Sequence, residues 1–162
     1  MKKTLLLAVL ALISLSIGLA AESDYAEMTV SNVRLQWKVE GESLSVIVSA
    51  PTTGWVGVGF VPSQKMKDAS IIIGYVKDGK AVFRDDFGAA LTAHRPDESQ
   101  GGKTNIADAE GSEQDGRTEL KFTKDQELVP GKEVKVIMAY GPNGADVFTQ
   151  YHAFRTTVTI KL

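Results

Sequence analysis

Apolar and polar residues alternate with a period of two along most of the chain after Met28. Side chains of a β-strand point to opposite faces in turn, so this alternation predicts strands that bury one face. The clearest series are given by the residues that share a face: Val33, Leu35, Trp37 and Val39; Leu44, Val46 and Val48; Val134, Val136, Met138 and Tyr140; Phe154, Thr156, Val158, Ile160 and Leu162. Turn signals such as Asp78-Gly79 separate the strands, and no segment has the period of an amphipathic helix. The pattern predicts an all-β fold, an antiparallel β-sandwich of the immunoglobulin-like kind.

The alternation is least ordinary just after Gly54. One face of the predicted strand carries Val56, Val58 and Phe60, and the other carries Trp55, Gly57 and Gly59. Glycine weakens a strand interior, so two glycines in step indicate that something flat lies close against the backbone. A tightly packed sheet or a bulge is the alternative explanation. The run from Ile71 to Val76 is so apolar that both of its faces are predicted to be covered.

Residues 1–20 have the features of an export signal. Lys2 and Lys3 precede an apolar run from Leu5 to Leu19, and small residues occupy the end of that run. The run is short for a membrane span, and the chain becomes polar directly afterwards. We therefore expect a periplasmic or secreted protein with one domain over residues 21–162. An uncleaved membrane anchor is the alternative.

Charge and cysteine content narrow the classes of function. The formal net charge is −2, without basic clusters, which argues against binding to nucleic acid or to an anionic membrane surface. The chain has no cysteine, so cysteine metal sites and haem attached through thioether bonds are both excluded. An exported domain without disulfides must depend on its core for stability.

Residues 88–116 are rich in polar residues and glycine and show little apolar period, which predicts a long loop, functional or disordered. His94 in this segment is expected to be a surface histidine beside Arg95. The carboxylates of Asp85 and Asp86 precede it. Adjacent residues of a strand point to opposite faces, so this pair is poorly suited to acid–base catalysis. A solvated edge or a calcium ligand is the simpler explanation.

Two residues stand out as candidates for chemistry, because motifs for a catalytic serine, a phosphate loop or a zinc protease are lacking. Met66 lies between Lys65 and Lys67, in a loop that should be polar. His152 lies just before the last strand, where an edge histidine bonded to a loop carbonyl is the alternative explanation. Methionine and histidine together form an axial pair for haem iron, and thioether with imidazole also suits copper.

A linked series of motifs resembles the core signature of DOMON domains. In chain order these are Gly54-Trp55-Val56-Gly57-Val58-Gly59-Phe60, Met66-Lys67-Asp68-Ala69, Ile71-Ile72-Ile73-Gly74-Tyr75, Gly101-Gly102 with Asn105-Ile106, Asp115-Gly116-Arg117-Thr118, Ala139-Tyr140-Gly141, and Tyr151-His152 ahead of Arg155. The resemblance covers roughly Val33 to Leu162. That family is similar to the cytochrome domain of cellobiose dehydrogenase and to the haem subunit of ethylbenzene dehydrogenase. It implies a sandwich that holds non-covalent haem b or, in some members, a sugar.

The resemblance also implies roles for individual residues. By position, Met66 and His152 match the two axial ligands of the cellobiose dehydrogenase type. The further residues expected to contact the cofactor are Trp55, Gly57, Gly59 and Tyr151. The ethylbenzene dehydrogenase type uses a lysine opposite the methionine, which leaves a lysine, or His94, as the alternative second ligand.

Two hypotheses of different classes follow. The first is an exported b-type cytochrome domain, not an enzyme by itself, that exchanges electrons with a redox partner protein. The second is a haem-free carbohydrate-binding module in which Trp55 and the tyrosines stack on sugar rings. The presence of both Met66 and His152 favours the first hypothesis, since a sugar site needs neither residue.

Overall fold

The structure is a computed structural model that describes residues 24–125 and 130–162. The predicted export signal, residues 1–20, lies outside the described residues, as does the predicted start of the domain at residue 21. Within the described part of the chain, no helix is both long enough and apolar enough to cross a membrane.

The described residues form strands joined by short turns and a few longer loops. The strands are β1 (Ala26–Val30), β2 (Val33–Glu40), β3 (Ser43–Ala50), β4 (Val56–Phe60), β5 (Ser70–Lys77), β6 (Lys80–Ala90), β7 (Ala93–Pro96), β8 (Ile106–Gln114), β9 (Arg117–Asp125), β10 (Glu133–Tyr140) and β11 (Phe154–Lys161). A 3₁₀ turn over Asp97–Gln100 lies between β7 and β8. The all-β prediction is confirmed.

The strands form two antiparallel sheets, which we call sheet 1 and sheet 2. Sheet 1 has the order β1-β2-β3-β9-β8, and sheet 2 has the order β11-β10-β4-β5-β6-β7. The β-sandwich prediction is confirmed. The order itself depends on pairings between distant segments, such as β3 with β9 and β4 with β10, which sequence alternation does not specify.

The hydrophobic core lies between the two sheets. β4 contributes Val56, Val58 and Phe60, which are almost fully buried, as the alternation predicts. Leu35 and Phe122 belong to the same core from the side of sheet 1. Each such side chain contributes roughly 1.5–3 kcal/mol when it is removed from water. The core therefore takes up the inner face of β4 and leaves its outer face for other contacts.

Residues 88–116 differ from the long loop that the sequence indicates. β6 continues to Ala90 through an irregularity after Phe87 and then pairs with β7. β8 is the edge strand of sheet 1, and nearly all of its side chains are exposed. An exposed edge strand has no apolar face, so its sequence carries no alternation, although its backbone pairs with β9. The expectation of a long loop was wrong for this reason.

Candidate functional site

The outer face of sheet 2 carries an apolar surface that we call the apolar floor. Cross-strand register places Gly57 beside Ile73 and Ala139, and Gly59 beside Ile71 and Ile137. The residues of the floor are Trp55, Gly57, Gly59, Ile71, Ile73, Ile137 and Ala139. It is continuous across three adjacent strands of sheet 2, β10, β4 and β5.

The two glycines of the floor differ in how closely their neighbours approach. A Cβ atom at Gly59 would lie 2.8 Å from Cγ1 of Ile137 and 2.9 Å from Cγ1 of Ile71, so the two isoleucines require a glycine between them. A Cβ atom at Gly57 would be 3.6 Å from Cγ1 of Ile73, which is an ordinary contact. Close packing of neighbouring side chains, one of the two explanations from the sequence, therefore applies at Gly59. Gly57 is not crowded by its neighbours in this way, although it is also buried.

Trp55 lies at one end of the floor and is 6% exposed. Its indole Nε1 donates a hydrogen bond to the carbonyl oxygen of Gln150 at 3.2 Å. Its backbone N–H donates to the carbonyl of Ala145 at 3.1 Å, and its own carbonyl accepts from the N–H of Gly141 at 2.8 Å. Trp55 is therefore a support beneath the β10–β11 connection and has little ring surface open to solvent.

The β10–β11 connection, residues 141–153, carries His152, and we call it the His152 loop. The His152 ring is half-buried and packs against the ring of Tyr151, with centroids 4.1 Å apart. Tyr151 itself is 75% exposed. Neither imidazole nitrogen of His152 has a hydrogen-bond partner among residues 24–125 and 130–162. The alternative explanation, an edge histidine bonded to a loop carbonyl, requires a hydrogen bond that is not found among the described residues. Both ring nitrogen atoms are therefore free to bind another group.

The β4–β5 connection, residues 61–69, carries Met66, and we call it the Met66 loop. Met66 is half-buried, and its backbone N–H donates to the carbonyl of Leu91 at 3.3 Å. Val61, Lys65 and Asp68 have φ angles of 55°, 53° and 65°. Left-handed backbone at residues other than glycine is uncommon and costs free energy, most of all for a β-branched valine. Three of the eight non-glycine residues with positive φ in the described part of the chain therefore lie in this one loop.

The two loops stand at opposite ends of β4. The Met66 loop follows Phe60, whereas the His152 loop joins Tyr140 to β11 at the level of Val56. Val56 and Phe60 are four residues apart, which corresponds to about 13 Å along the strand. The structure thus brings Trp55, Tyr151 and His152 together at one end of the floor and places Met66 at the other end.

A buried ion network lies beside the floor on β6 and β7. Asp86 is 1% exposed and accepts hydrogen bonds from Arg84 at 2.6 and 2.7 Å, one to each carboxylate oxygen. Nδ1 of His94 also hydrogen-bonds to Asp86. Burial by itself would raise the pKa of Asp86, but the hydrogen bonds from His94 and Arg84 outweigh it, so the pKa lies below its usual value. Arg84 also lies over the ring of Phe148 in the His152 loop, 4.5 Å from the centroid.

Asp85 points in the opposite direction from Asp86, as predicted. It is 6% exposed, and it accepts the backbone N–H of Asn105 at 3.1 Å. Burial raises its pKa above the usual value, against the opposing effects of that bond and of Lys124. Burial also lowers the pKa of Lys124, whose ammonium group donates to Ser70. The expectation of a solvated edge was wrong for both carboxylates, because β6 lies between β5 and β7 and each carboxylate has buried partners on its own face of the sheet.

His94 was expected at the surface and is instead a half-buried partner of Asp86. The signal that could have revealed this network is the run Arg84-Asp85-Asp86, since three charged residues inside a strand need partners when the strand is central. Among the described residues, no group of three or more histidine, aspartate or glutamate side chains is arranged to hold a metal ion.

Fold and site together define a β-sandwich domain whose outer sheet face is apolar and bordered by two loops. The family model of the DOMON domain matches residues 29–141. The chain belongs to the DOMON family.

Solved structures with the same fold include two cytochrome domains. The cytochrome b domain of pyranose dehydrogenase from Coprinopsis cinerea aligns with a TM-score of 0.61 and 11% identity, over 85% of this chain and 81% of that chain. The cytochrome domain of cellobiose dehydrogenase from Myriococcum thermophilum aligns with a TM-score of 0.63 and 9% identity, over the same shares of the two chains.

Curated relatives are much longer proteins. DBH-like monooxygenase protein 1 of Homo sapiens is 27% identical over an alignment of 137 residues that covers 79% of this chain and 22% of that protein. The protein of the same name from Mus musculus is 38% identical over 53 residues, or 33% of this chain and 9% of that protein. The chain spans about a fifth of the length of the human relative.

Proposed function

We propose that this chain is an exported b-type cytochrome domain that binds haem b without covalent attachment and exchanges electrons with a redox partner protein. Met66 and His152 would hold the iron, and Gly57, Gly59, Trp55 and Tyr151 would contribute to the surroundings of the ring. When bound, the haem supplies a one-electron redox centre, and methionine ligation raises its potential. The domain would not be an enzyme by itself but would serve an oxidoreductase.

The observation that carries this proposal is the placement of the two loops. Met66 and His152 would hold the iron from loops at the two ends of the same strand, β4, which border one face of sheet 2. The apolar floor between the loops suits a largely apolar group, and Gly57 and Gly59 place no side chain on it. The free imidazole nitrogens of His152 are also what a metal ligand requires. The residues present therefore fit the group.

The burial of Trp55 supports haem over sugar as the ligand. A sugar-binding module of the kind considered above needs an exposed aromatic ring for stacking, but Trp55 lies beneath the His152 loop and bonds to Gln150. Tyr151 remains exposed, yet a single tyrosine on a loop is a small platform. The fold shared with two cytochrome domains supports the same choice.

The experiment is to produce the chain in a bacterial periplasm with haem available and to record its absorption spectrum. We expect a red protein with a Soret band, haem that acid–acetone extracts completely because the chain lacks cysteine, and a higher melting temperature when haem is bound. Haem-free protein that binds oligosaccharides in a calorimeter would contradict the proposal and favour the carbohydrate module. The control for non-specific haem uptake is the double variant in which Met66 and His152 are both replaced by alanine.

The export signal, the periplasmic or secreted location and the partner are parts of the same proposal. Secretion would be tested by the mass of the mature protein, which should correspond to cleavage after residue 20. A chain that keeps its first 20 residues in the membrane fraction would contradict it.

A further inference from the structure

Gly88 lies on β6 directly beneath the Met66 loop. The N–H of Asp68 donates to the carbonyl of Gly88 at 2.8 Å, and the N–H of Gly88 donates to the carbonyl of Ala69 at 2.9 Å. Together with the bond from the N–H of Met66 to Leu91, these contacts attach residues 63–69 of the Met66 loop, which we call the Met66 turn, to the β6–β7 hairpin at three points. All three are main-chain hydrogen bonds, so they hold the backbone of the turn rather than its side chains.

The contact between the turn and Gly88 leaves no room for a side chain. A Cβ atom at residue 88 would collide with the carbonyl oxygen of Met66 and would lie 2.7 Å from its carbonyl carbon. The same atom would be 3.0 Å from the backbone nitrogen of Ala69. Backbone atoms cannot rotate away as the end of a flexible side chain can. A residue other than glycine at position 88 must therefore displace Met66 itself.

The turn is also internally rigid. Ser63 Oγ donates to Oδ2 of Asp68 at 2.5 Å, and its N–H donates to the carbonyl of Lys67 at 2.9 Å. The left-handed backbone of Lys65 and Asp68 lies on either side of Met66. A displacement forced at Gly88 will therefore move the Met66 backbone with the whole turn and will not be absorbed by local bending.

We infer that Gly88 is a positioning residue for Met66: the seating of the Met66 turn on Gly88 sets where the thioether sulfur lies. The inference rests on the proposed function, in which that sulfur is an iron ligand. A thioether is a weak ligand, and its bond to iron depends on placement more than an imidazole bond does. Small shifts of the turn will therefore change the redox potential and the sulfur–iron bond before they change haem retention.

The test compares Gly88→Ala with Gly111→Ala in the full haem-loaded chain. Gly111 lies on β8 in sheet 1, and its added Cβ would be 3.0 Å from Ala81 Cβ and from Leu120 Cδ2, so this control also crowds a packed position. We expect Gly88→Ala to keep its haem, to lose the absorption signature of the sulfur–iron bond and to have a lower potential, close to that of Met66→Ala. Gly111→Ala should retain the signature and the potential of the parent.

A second measurement uses the haem-free protein. Amide hydrogen exchange at Asp68 should be about fivefold to tenfold faster in Gly88→Ala than in Gly111→Ala, as expected when one hydrogen bond is lost. If Gly88→Ala does not fold, Ser63→Ala loosens the same turn from its exposed side and should lower the potential by less.

The outcomes separate the inference from the proposed function. A parent protein that binds no haem rejects the proposed function and, with it, the role of Gly88 toward a ligand. A haem-binding parent whose Gly88→Ala variant retains the sulfur–iron signature, the potential and the slow exchange of Asp68 rejects the inference alone. An unchanged potential in Ser63→Ala, where Gly88→Ala does not fold, also rejects it.

Discussion

The Met66 loop and the His152 loop border the same floor but are held by different kinds of contact. The Met66 loop is attached to β6 and to the β6–β7 turn through main-chain hydrogen bonds at Gly88 and Leu91. The His152 loop also has main-chain bonds near its ends, but its middle is held by side chains. Trp55 bonds to Gln150, and Phe148 contacts the ring of Tyr75, with centroids 5.0 Å apart.

The difference shows where each loop is sensitive. Main-chain bonds tolerate most substitutions, so the Met66 loop should be vulnerable chiefly at Gly88, where an added side chain collides with the backbone. The His152 loop depends on Phe148, which lies beneath Arg84, which in turn is held by Asp86. Substitution or acid should therefore loosen the His152 loop first.

Replacing the two proposed ligands should have unequal effects. His152→Ala removes the stronger ligand and should weaken haem binding by more than the about 10- to 100-fold cost of losing a group that only orients a ligand. Met66→Ala should retain most of its haem, with a lower potential, because imidazole still holds the iron. Haem titration and potentiometry at matched loading measure both.

His94→Ala is the control for these two variants. It removes a partner of Asp86 and should lower stability, yet it should leave the haem spectrum near that of the parent. If His94→Ala loses haem while His152→Ala keeps a six-coordinate spectrum, the imidazole ligand is His94. A lysine becomes the first candidate if none of the three variants changes the spectrum.

Asp86→Asn should destabilise the fold by about 2–3 kcal/mol at neutral pH, because it leaves Arg84 without its carboxylate in a largely buried position. Urea denaturation measures this change. Glu27→Gln is the matched control, since it breaks an ion pair with Arg34 at the exposed surface and should cost less than about 1 kcal/mol. Similar losses of unfolding free energy in the two variants would show that the buried Asp86 pair contributes no more stability than an exposed ion pair.

Phe148→Ala should cost about 1–2 kcal/mol through lost contacts with Tyr75 and Arg84. It should also speed hydrogen exchange across the His152 loop while leaving the Met66 loop unchanged. Val147→Ala, at a neighbouring residue that is 50% exposed, is the control and should change neither stability nor exchange. Equal exchange rates in the two variants would contradict the anchoring role of Phe148.

As pH falls, the His152 loop should loosen before the Met66 loop. The pKa of Asp86 lies below its unfolded value of about 3.9, so its stabilisation is fully present above that value and is lost as pH falls through the folded pKa. We therefore expect exchange in the His152 loop to rise before exchange in the Met66 loop as the protein is acidified. Asp86→Asn should remove this order, and persistence of the order in that variant would contradict the assignment.

Asp85, on the same strand, should make stability depend on pH in the opposite direction from Asp86. Its folded pKa is raised, so its contribution is fully present below the unfolded value and is lost as pH rises through the folded pKa. The unfolding free energies of the parent and of Asp85→Asn should be compared from acid to neutral pH. Relative to the parent, the variant should become more stable as pH rises across that range. If the unfolding free energies of variant and parent changed with pH in parallel, the raised pKa of Asp85 would be contradicted.

The strands of the core were predictable because each carries its own alternation. Val56, Val58 and Phe60 are buried and Ile71 to Val76 is covered, as local pattern alone indicated. β8 was missed because an exposed edge strand has no apolar face to show. Met66 could be singled out from the sequence because a lone apolar thioether between two lysines breaks the local polar pattern of a loop.

The sequence by itself determined that the chain forms a cysteine-free β-sandwich and that Met66 and His152 are its candidates for iron ligation. Alternation, turn signals and the rarity of soft ligands are all local properties. Only the tertiary structure decided that the two loops lie at opposite ends of β4, that Trp55 supports a loop, and that Asp86 binds Arg84 and His94. These features depend on which distant strands pair and on which face each residue then shares, and long-range pairing leaves no periodic trace in a single sequence.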